Sequence, residues 1–373
     1  MLRYLTSGES HGSCLMGIIE GMPSGLTIDE AFINAQLEKR QGGYGRGGRQ
    51  QIETDRVTIT GGVLQGISTG APIGLVIKNK DNSINDMPEL TRPRPGHADL
   101  AGSLKYHQGI RPVLERASAR STAMNVAVGS CAALLNSVCG IESVAHVVQI
   151  GSVSCHGAGL TFDAIVKGVS LSQVGCADHA IDEKMVAVID AARAAGDTVG
   201  GVVEVRFRGV PIGIGSPVHA DRKLDARIAG AVMGVPAIKA VSIGLGFAAA
   251  EKMGSQVHDE IGYESGKGYV RPTNNAGGIE GGMSNGEEIV VRAAMKPIAT
   301  LKKALRSVDM KTKKTAEASF ERSDTCAVTA CAVIVEAVVA FEIASALCEK
   351  FGGDSLVEIQ RNLASYREQI GNC

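Results

Sequence analysis

Apolar and polar residues alternate along several short segments of the chain, and this alternation predicts strands with one buried face. Residues 2–21 follow the pattern but are interrupted at Gly8 and Gly12, which predicts two strands joined by a glycine-bounded loop. Further alternating or short apolar runs predict strands near 50–61, 70–79, 142–153, 198–210 and 287–295. The proline-containing stretch 81–99 and the glycine-rich stretch 244–286 predict long loops.

A helical spacing of apolar residues predicts a first helix over 28–40. Thr27 and Glu30 form a capping-box pair at its start, and Gly42 with Gly43 ends it. Further helices are predicted near 116–137, 181–195, 224–234 and 326–348. The many small residues of the helix at 116–137 predict close packing on both of its sides.

The order of these elements bears on the fold class. The 373 residues are compatible with two or three domains, but no proline-, serine- or charge-rich linker divides them, so one large domain is equally allowed. Strands and helices do not alternate regularly, and the sequence contains no GxGxxG fingerprint. We therefore predict an α+β fold rather than a doubly wound parallel sheet.

The segment 326–348 is the one candidate for a membrane span in the sequence. It is rich in small residues and contains Glu336 and Glu342. Two carboxylates inside the segment favour a buried helix of a soluble protein over a helix in lipid. The N-terminal residues lack the apolar core of a signal peptide, so no contact with a membrane is expected.

Composition excludes some classes of partner and indicates a compartment. The net charge is −1 and aromatic residues make up 3% of the chain, which argues against a nucleic-acid or membrane surface and against a base-stacking platform. The nine cysteines are an odd number without CxxC spacing or a metal-binding motif, which favours reduced thiols in a cytoplasmic protein.

Two glycine-bounded motifs near the N-terminus carry candidate chemistry. GESHG (8–12) presents a histidine, the side chain best suited to proton transfer near neutral pH, although a simple turn between strands is an equally good interpretation. KRQGGYGRGGR (39–49) places arginines on a glycine-rich loop suited to phosphate or carboxylate oxygens. A solvated flexible loop or an RNA-binding segment are the alternatives for this second motif.

Four later motifs add charge and hydroxyl groups. PRPGHAD (93–99) fixes a histidine in a proline-stiffened turn, and RASAR (116–120) is expected to open a helix whose amide groups favour anions. KPIAT (296–300) resembles a phosphate contact. RSD (322–324) precedes the last long helix, where an ion pair or a helix cap is the alternative. Together the motifs predict a strongly anionic substrate, which their spacing alone does not name.

Taken in this order, and together with TNNAGGIEGGMSNG (273–286), the motifs resemble the chorismate synthase family from Met1 to about Phe351. The resemblance implies a carbon–oxygen lyase of the shikimate pathway. Its members convert 5-enolpyruvylshikimate 3-phosphate to chorismate and phosphate by an anti-1,4-elimination that needs reduced FMN without net redox change. It also implies a single domain over 1–373, a helical core between antiparallel sheets, and a homotetramer.

The resemblance also implies roles for individual residues. His11 is expected to assist the departing phosphate, His97 to manage a proton beside the reduced flavin, and Asp324 to help take up the substrate proton. The expected substrate or nucleotide contacts are Ser10, Arg40, Arg46 and Arg49. The expected FMN contacts are Arg116, Ala117, Ser118, Pro236, Ala237, Gly281, Lys296, Pro297, Ile298, Ala299, Thr300 and Arg322.

The sequence departs from the family pattern at a few positions. Ser121 replaces a frequent Glu, Pro236 a frequent Asn, Ala240 a Gly, and Thr329 a frequent Pro. Because the chain has no dinucleotide fingerprint, we expect FMN to arrive reduced from an external flavin reductase, with NADPH involved only indirectly as the source of reductant.

Overall fold

The computed structural model describes residues 2–47, 53–155, 159–266, 268–321 and 323–371. Its strands are β1 Arg3–Ser7, β2 Cys14–Glu20, β3 Val57–Gly61, β4 Val63–Leu64, β5 Ile67–Ser68, β6 Ile73–Lys78, β7 Glu142–Ile150, β8 Val153–Ser154, β9 Gly201–Arg208, β10 Ile238–Ile243, β11 Gly262–Glu264, β12 Gly268–Val270, β13 Ile279–Glu280, β14 Met283–Ser284, β15 Ile289–Met295, β16 Arg306–Val308 and β17 Thr315–Glu317.

The helices are α1 Glu30–Gln41, α2 Asp99–Tyr106, α3 Ile110–Ala117, α4 Thr122–Val138, α5 Phe162–Leu171, α6 His179–Ala194, α7 Leu224–Met233, α8 Gly254–Val257, α9 Val328–Phe351 and α10 Leu356–Gly371. Short 3₁₀ turns occupy Ala119–Ser121 and Gly246–Glu251.

Two antiparallel sheets enclose a pair of central helices. The first sheet has the strand order β1-β2-β6-β3 and the second the order β10-β15-β9-β7-β8. Helix α4 packs against β2 and β6 of the first sheet, α9 packs against β7 and β9 of the second, and the two helices pack against each other. The predicted α+β fold with a helical core between antiparallel sheets is confirmed.

The alternation seen in the sequence explains how the first sheet covers the core. In β2 the side chains of Leu15 and Ile19 are buried, whereas Met16 and Ile18 point outward and are about half exposed. Gly17 lies on the inner face, where the side chain of Met124 from α4 occupies the space that a Cβ atom would fill. The helix therefore lies close against the strand.

Helices α4 and α9 run parallel and touch at small residues. A Cβ atom on Gly129 would lie 2.3 Å from the carbonyl oxygen of Ala337, and further along both helices Asn136 Nδ2 donates to the carbonyl oxygen of Ala340. Helix α9 is long and apolar enough to cross a membrane, but 83% of its most apolar stretch is buried inside the fold. It is a core helix, as its two glutamates predicted.

The structure corrects the cap of the first helix and adds helices that were not predicted. Helix α1 is capped by Asp29, whose carboxylate accepts the backbone N–H groups of Ala31 and Phe32, and not by a capping box at Thr27 and Glu30. Helices α2, α3 and α5 were not predicted, nor was the short helix α8, which lies in the stretch predicted to be a loop.

The long helix predicted at 116–137 is in fact three elements. Ser118 is extended, with φ −64° and ψ 142°, and its side chain accepts the backbone N–H of Arg120. This local hydrogen bond competes with the helix, so α3 ends at Ala117 and α4 begins at Thr122. Arg116 and Ala117 therefore end a helix, and the expected binding of anions by helix N-terminal amides at RASAR is wrong for these two residues.

The close contact at Gly129 generates a prediction. We expect Gly129→Ala to lower the free energy of unfolding by about 1–3 kcal/mol, because the new methyl group overlaps the Ala337 carbonyl. Gly230→Ala is the matched control, since α7 leaves open space at that position, and we expect it to be neutral or to stabilise by about 0.5–1 kcal/mol. Thermal and urea unfolding of both variants measure the difference; equal effects would contradict the tight packing of α4 on α9.

Candidate functional site

His11 lies in the glycine-bounded loop between β1 and β2, where it is 8% exposed. Its backbone N–H and its Nδ1 lie 2.8 and 2.9 Å from the same oxygen, Glu115 Oε2. Because a carboxylate only accepts hydrogen bonds, Nδ1 carries a proton. Nε2 faces the other way, 3.9 Å from Asp81 Oδ2, and is the nitrogen left for proton transfer.

The GESHG loop is fixed to the RASAR segment by side-chain hydrogen bonds. Asn79 Nδ2 donates to the carbonyl oxygen of Gly12 at 2.7 Å, while Asn79 Oδ1 accepts from Arg120 Nε at 2.9 Å. The hydroxyl of Ser118 donates to that of Ser10 at 3.1 Å. Ser10 and Ser118, predicted separately from two motifs, are thus direct neighbours.

A buried ion cluster lies beneath these two segments. Asp55 binds two guanidinium groups, Arg40 through Nη1 at 3.3 Å and Arg120 through Nη1 at 2.5 Å. Arg40 also donates to the Thr122 hydroxyl and to the carbonyl oxygen of Ala119. Burial lowers the pKa of Arg40 to about 10, although the charge of Asp55 opposes this shift.

Arg46 and Asp324 form an ion pair that joins the glycine–arginine loop to the RSD segment. Arg46 Nη1 lies 2.8 Å from Asp324 Oδ2, and the backbone N–H of Gly47 donates to Asp324 Oδ1 at 2.6 Å. Burial lowers the pKa of Arg46, and the charge of Asp324 partly offsets that effect. Because Arg40 is buried and the side chain of Arg46 is only 10% exposed, these two arginines form neither a solvated loop nor an RNA-binding surface.

His97 has a buried carboxylate partner of the same kind as His11. Its Nδ1 lies 2.5 Å from Asp99 Oδ1, and Arg94 binds both oxygens of Asp99, at 2.8 and 3.0 Å. Burial by itself would raise the pKa of Asp99, but the hydrogen bonds from His97 and Arg94 outweigh it and hold the pKa far below its usual range. Asp99 is therefore a carboxylate at any ordinary pH.

The KPIAT segment forms hydrogen bonds to several of the other candidate segments. The Thr300 hydroxyl accepts from Arg94 Nη1 at 2.8 Å, and the Thr300 carbonyl oxygen accepts from the Ser323 hydroxyl at 3.0 Å. The backbone N–H of Lys296 donates to the carbonyl oxygen of Ala237 at 2.9 Å. Thr300 is thus joined to the His97 turn and to the RSD segment, and Lys296 to the Pro236–Ala237 pair.

Arg111 completes the connection between His11 and the RSD segment. Its Nη1 lies 3.5 Å from Glu115 Oε1, the carboxylate that holds His11, and its Nη2 lies 3.4 Å from Glu321 Oε1. Glu321 immediately precedes the RSD residues. His11, His97 and Asp324, which lie far apart in sequence, therefore belong to one connected cluster.

Three guanidinium groups of this cluster keep an unused donor. Arg46 Nε, Arg111 Nε and Arg120 Nη2 are buried and have no hydrogen-bond partner among the described residues, although Arg120 Nη2 forms an ion pair with Glu53 Oε2 at 3.8 Å. A buried donor without an acceptor costs free energy, and carboxylate or phosphate oxygens are the acceptors that suit guanidinium groups best. The cluster is therefore suited to an anionic ligand.

The Lys296 side chain indicates a second position for an anion. Burial lowers its pKa, and the charge of the nearby Lys239 lowers it further. Ala237, which lies just before β10 and accepts the backbone N–H of Lys296, has φ 71°, a conformation that residues with a Cβ atom rarely adopt. Paired cations and local backbone strain are typical of a ligand-binding position.

Some predicted residues are placed differently or lie outside the described part. Arg49 and Arg322 are not among the described residues. Arg116 is exposed and donates to the backbone of Thr6 and Gly8. Gly281 lies beside the start of α7, where Gly282 accepts from Leu224, whereas Pro236 follows the other end of that helix, about 15 Å away by its length. Gly281 and Pro236 thus lie near opposite ends of α7.

Sequence reasoning did not single out several residues of the cluster. Glu115, Asp99 and Arg94 stand within or beside the motifs that were noted, and each is less than 9% exposed. Charged residues are almost never fully buried unless they are paired, but burial is not visible in the sequence. Only their position next to candidate histidine loops could have pointed to them.

Two of the departures from the family pattern form hydrogen bonds to the backbone. Thr329 donates its hydroxyl to the carbonyl oxygen of Val174 at 2.9 Å, and Ser121 donates to the carbonyl oxygen of Ser118 at 3.0 Å.

Comparison with known proteins gives consistent results. A family model described as chorismate synthase matches residues 2–348. The chain is 53% identical to the chorismate synthase of Geobacter metallireducens, covering 99% of both chains, and 53% identical to that of Desulforamulus reducens with the same coverage. A chorismate synthase crystal structure superposes with a TM-score of 0.83 at 38% identity and covers 100% of this chain and 99% of its own.

The Asp99 cluster generates a pH-dependent prediction. The lowered pKa of Asp99 means that its contribution to stability is present above the ordinary aspartate pKa of about 3.9 and is lost as the pH falls through the folded-state value. We expect Asp99→Asn to cost about 3–5 kcal/mol at pH 7, because Arg94 is left buried without its partner, and this cost to shrink as the pH falls below about 3.9.

Urea unfolding of both proteins at pH 7 and pH 3 measures the change. Glu20→Gln is the control, since Glu20 forms an exposed pair with Arg3 and its loss should have little effect at either pH. An Asp99→Asn cost that is the same at both pH values would contradict the prediction.

Proposed function

The chain belongs to the chorismate synthase family, and on this premise we propose that its reaction takes place in the cluster around His11, His97 and Asp324. Members of the family are carbon–oxygen lyases of the shikimate pathway that release phosphate from 5-enolpyruvylshikimate 3-phosphate and form chorismate. The observation that carries the proposed location is the set of unused buried donors on Arg46, Arg111 and Arg120. They are joined to His11 and Asp324 by ion pairs and hydrogen bonds.

The charge of the substrate suits this cluster. It has two carboxylates and a phosphate, and rigid guanidinium groups hold such oxygens at fixed geometry. The parallel central helices add to the attraction, because α4 and α9 both begin just after cluster segments and their N-termini carry partial positive charge. We propose that Arg46, Arg111 and Arg120 orient the substrate.

The proposed roles of the acid and base groups follow from their atoms. His11 Nε2–H donates a proton to the phosphate oxygen as the carbon–oxygen bond breaks, while Asp324 helps take up the proton that the substrate loses, and a new double bond forms. Ser10 lies beside His11 and contributes a hydroxyl to the same position. The closed arrangement of these groups limits the access of water.

The residues expected to hold FMN fit an anionic, planar cofactor. We propose that its phosphate and ring contact Lys296 to Thr300, the Pro236–Ala237 pair and Arg116 to Ser118. The buried Lys296 beside Lys239 supports an anion there, because a phosphate would offset the repulsion between the two lysines. Reduced FMN, when bound, supplies the electron density that weakens the allylic carbon–oxygen bond. His97, held by Asp99, is proposed to manage a proton beside it, and Gly281 is left out of this group.

Reductant and compartment are also matters of proposal. We propose that an external flavin reductase supplies the reduced flavin and that NADPH acts only through it. The eight cysteines in the described part of the chain are all free thiols, which supports a reducing, cytoplasmic setting. A single domain over 1–373 is supported by the packing of α4 on the first sheet, of α9 on the second sheet and of the two helices on each other.

A homotetramer is supported by the outer face of the first sheet. Leu5, Met16 and Ile18 are 78%, 46% and 50% exposed on the adjacent strands β1 and β2, and Leu5 lies directly opposite Ile18. Contiguous apolar side chains of this kind mark interaction sites. We propose that a second copy of the chain covers this face.

The activity test is anaerobic and follows chorismate and phosphate together, with chemically reduced FMN. We expect equal release of both products, no release without flavin, and no release when oxidised FMN and NADPH replace reduced FMN. His11→Ala and His97→Ala should each lower kcat by about 10²–10⁴, the usual loss for a proton-transfer group. His219→Ala, an exposed histidine, should leave kcat unchanged. Wild-type turnover in both folded site variants would refute the role assignment.

The proposed interface gives a separate prediction. We expect Ile18→Glu to lower the assembly state, because a carboxylate on the apolar face of the first sheet would be buried without a partner. Val357→Glu, at a 75% exposed position on α10, is the control and should keep the wild-type mass. Light scattering after size-exclusion chromatography measures both, and an Ile18→Glu protein of wild-type mass would argue against this face.

A further inference from the structure

We propose that Glu115 is a positioning residue for the reaction: it holds His11 as the Nδ1–H tautomer, turns Nε2 toward the substrate and sets a negative charge against the ring. This inference rests on the proposed role of His11 as the acid. Glu115 lies one residue before the RASAR segment, in the last turn of α3, and no motif assigned it a role.

The contact between the two residues is a double one. Glu115 Oε2 accepts the backbone N–H of His11 at 2.8 Å and lies 2.9 Å from Nδ1, while Oε1 lies 3.1 Å from Nδ1. One carboxylate therefore fixes both the main chain and the ring. Because a carboxylate cannot donate, Nδ1 stays protonated in both charge states of the ring. The proton that the ring gains or loses must be the one on Nε2.

Glu115 is itself held in place and remains charged. Its side chain is completely buried, Arg111 Nη1 lies 3.5 Å from Oε1, and its own carbonyl oxygen accepts the backbone N–H of Ser10. Burial would raise the pKa of Glu115, but hydrogen bonds from the His11 ring and backbone outweigh it and lower the pKa. A buried carboxylate therefore faces the ring at neutral pH.

Other charged groups lie near the ring. Asp81, from the loop after β6, lies 3.9 Å from Nε2 on the opposite side from Glu115. Glu9 belongs to the same loop as His11, with Oε2 close to Gly12, and Arg111 is bound to Glu115 itself. Glu115 is thus the carboxylate in hydrogen-bond contact with Nδ1, whereas Asp81 lies farther away, near Nε2.

His97 provides a contrast within the same molecule. Its Nδ1 also contacts a buried carboxylate, Asp99, but Arg94 Nη2 lies only 3.1 Å from that nitrogen. His11 lies between two carboxylates instead. The two histidines therefore share a carboxylate partner at Nδ1, and the ring of His97 contacts a guanidinium in addition.

The first test is spectroscopic and needs neither substrate nor cofactor. The ¹⁵N signals of the histidine rings, with His11 assigned by its loss in His11→Ala, report which ring nitrogen carries the proton. We expect Nδ1 of His11 to stay protonated above and below its titration in the wild-type protein. A wild-type His11 ring with the neutral proton on Nε2 would overturn the proposal regardless of any variant.

The second test compares the pH dependence of kcat. In Glu115→Gln the ring loses its buried negative neighbour, so the alkaline limb of the profile should move to lower pH by about one unit. Glu115→Asp keeps the charge and should restore the limb toward the wild-type position even if kcat is lower. Glu183→Gln, an exposed carboxylate on α6, should leave the profile unchanged.

The outcomes separate the inference from the proposed function. A wild-type protein that makes no chorismate would refute the function, while the ring signals would still decide the contact with Glu115. A folded Glu115→Gln protein with the wild-type limb and the wild-type tautomer would refute the positioning role. If Glu115→Gln does not fold, the wild-type ring signals and the pH profile of Glu115→Asp decide. Glu115→Asp keeps the negative charge, so its alkaline limb should stay near the wild-type position. A shift of that limb by about one unit would refute the effect of the charge.

Discussion

The parallel packing of α4 on α9 determines where every other part of the site lies. Because both helices run in the same direction, their N-terminal ends meet on one side of the fold, and the chain segments that precede them meet there too. RASAR precedes α4 and RSD precedes α9. Small residues such as Gly129 allow the helices to approach until backbone touches side chain, so the distance between the two segments is set by the core and not by flexible loops.

Much of the architecture was predictable because the spacing of apolar residues within a segment indicates which side chains are buried. This spacing predicted strands β1 and β2, the loop between them and the apolar helix α9. Helix α3 was not predicted, and its sequence contains Pro112. Pro112 falls in the first turn of the helix, where its missing N–H is not needed. Conversely, the sequence at 116–137 was predicted to be one continuous helix, and the structure has a break in it at Ser118.

The histidines and arginines of the site were predictable as candidates, but their partners were not. His11 is hydrogen-bonded to Glu115, 104 positions away in the sequence. The corresponding separations are 206 positions for Arg94 and Thr300 and 277 for Gly47 and Asp324. Local sequence patterns indicate which face of an element is buried. They do not indicate which distant charged residue will pair with a buried charged residue. Arg40 illustrates the difference, since its motif indicated a ligand contact and the fold gives its guanidinium to Asp55, Thr122 and Ala119.

The long separation between Gly47 and Asp324 has a consequence for how the protein is made. A ribosome releases the glycine–arginine loop long before it releases Asp324, which completes the ion pair of Arg46. His11 and Glu115 are only 104 positions apart, so that contact can form as soon as α3 has been synthesised. Closing a loop of 277 residues costs more entropy than closing one of 104. The site therefore cannot be complete until the RSD segment and α9 have been synthesised.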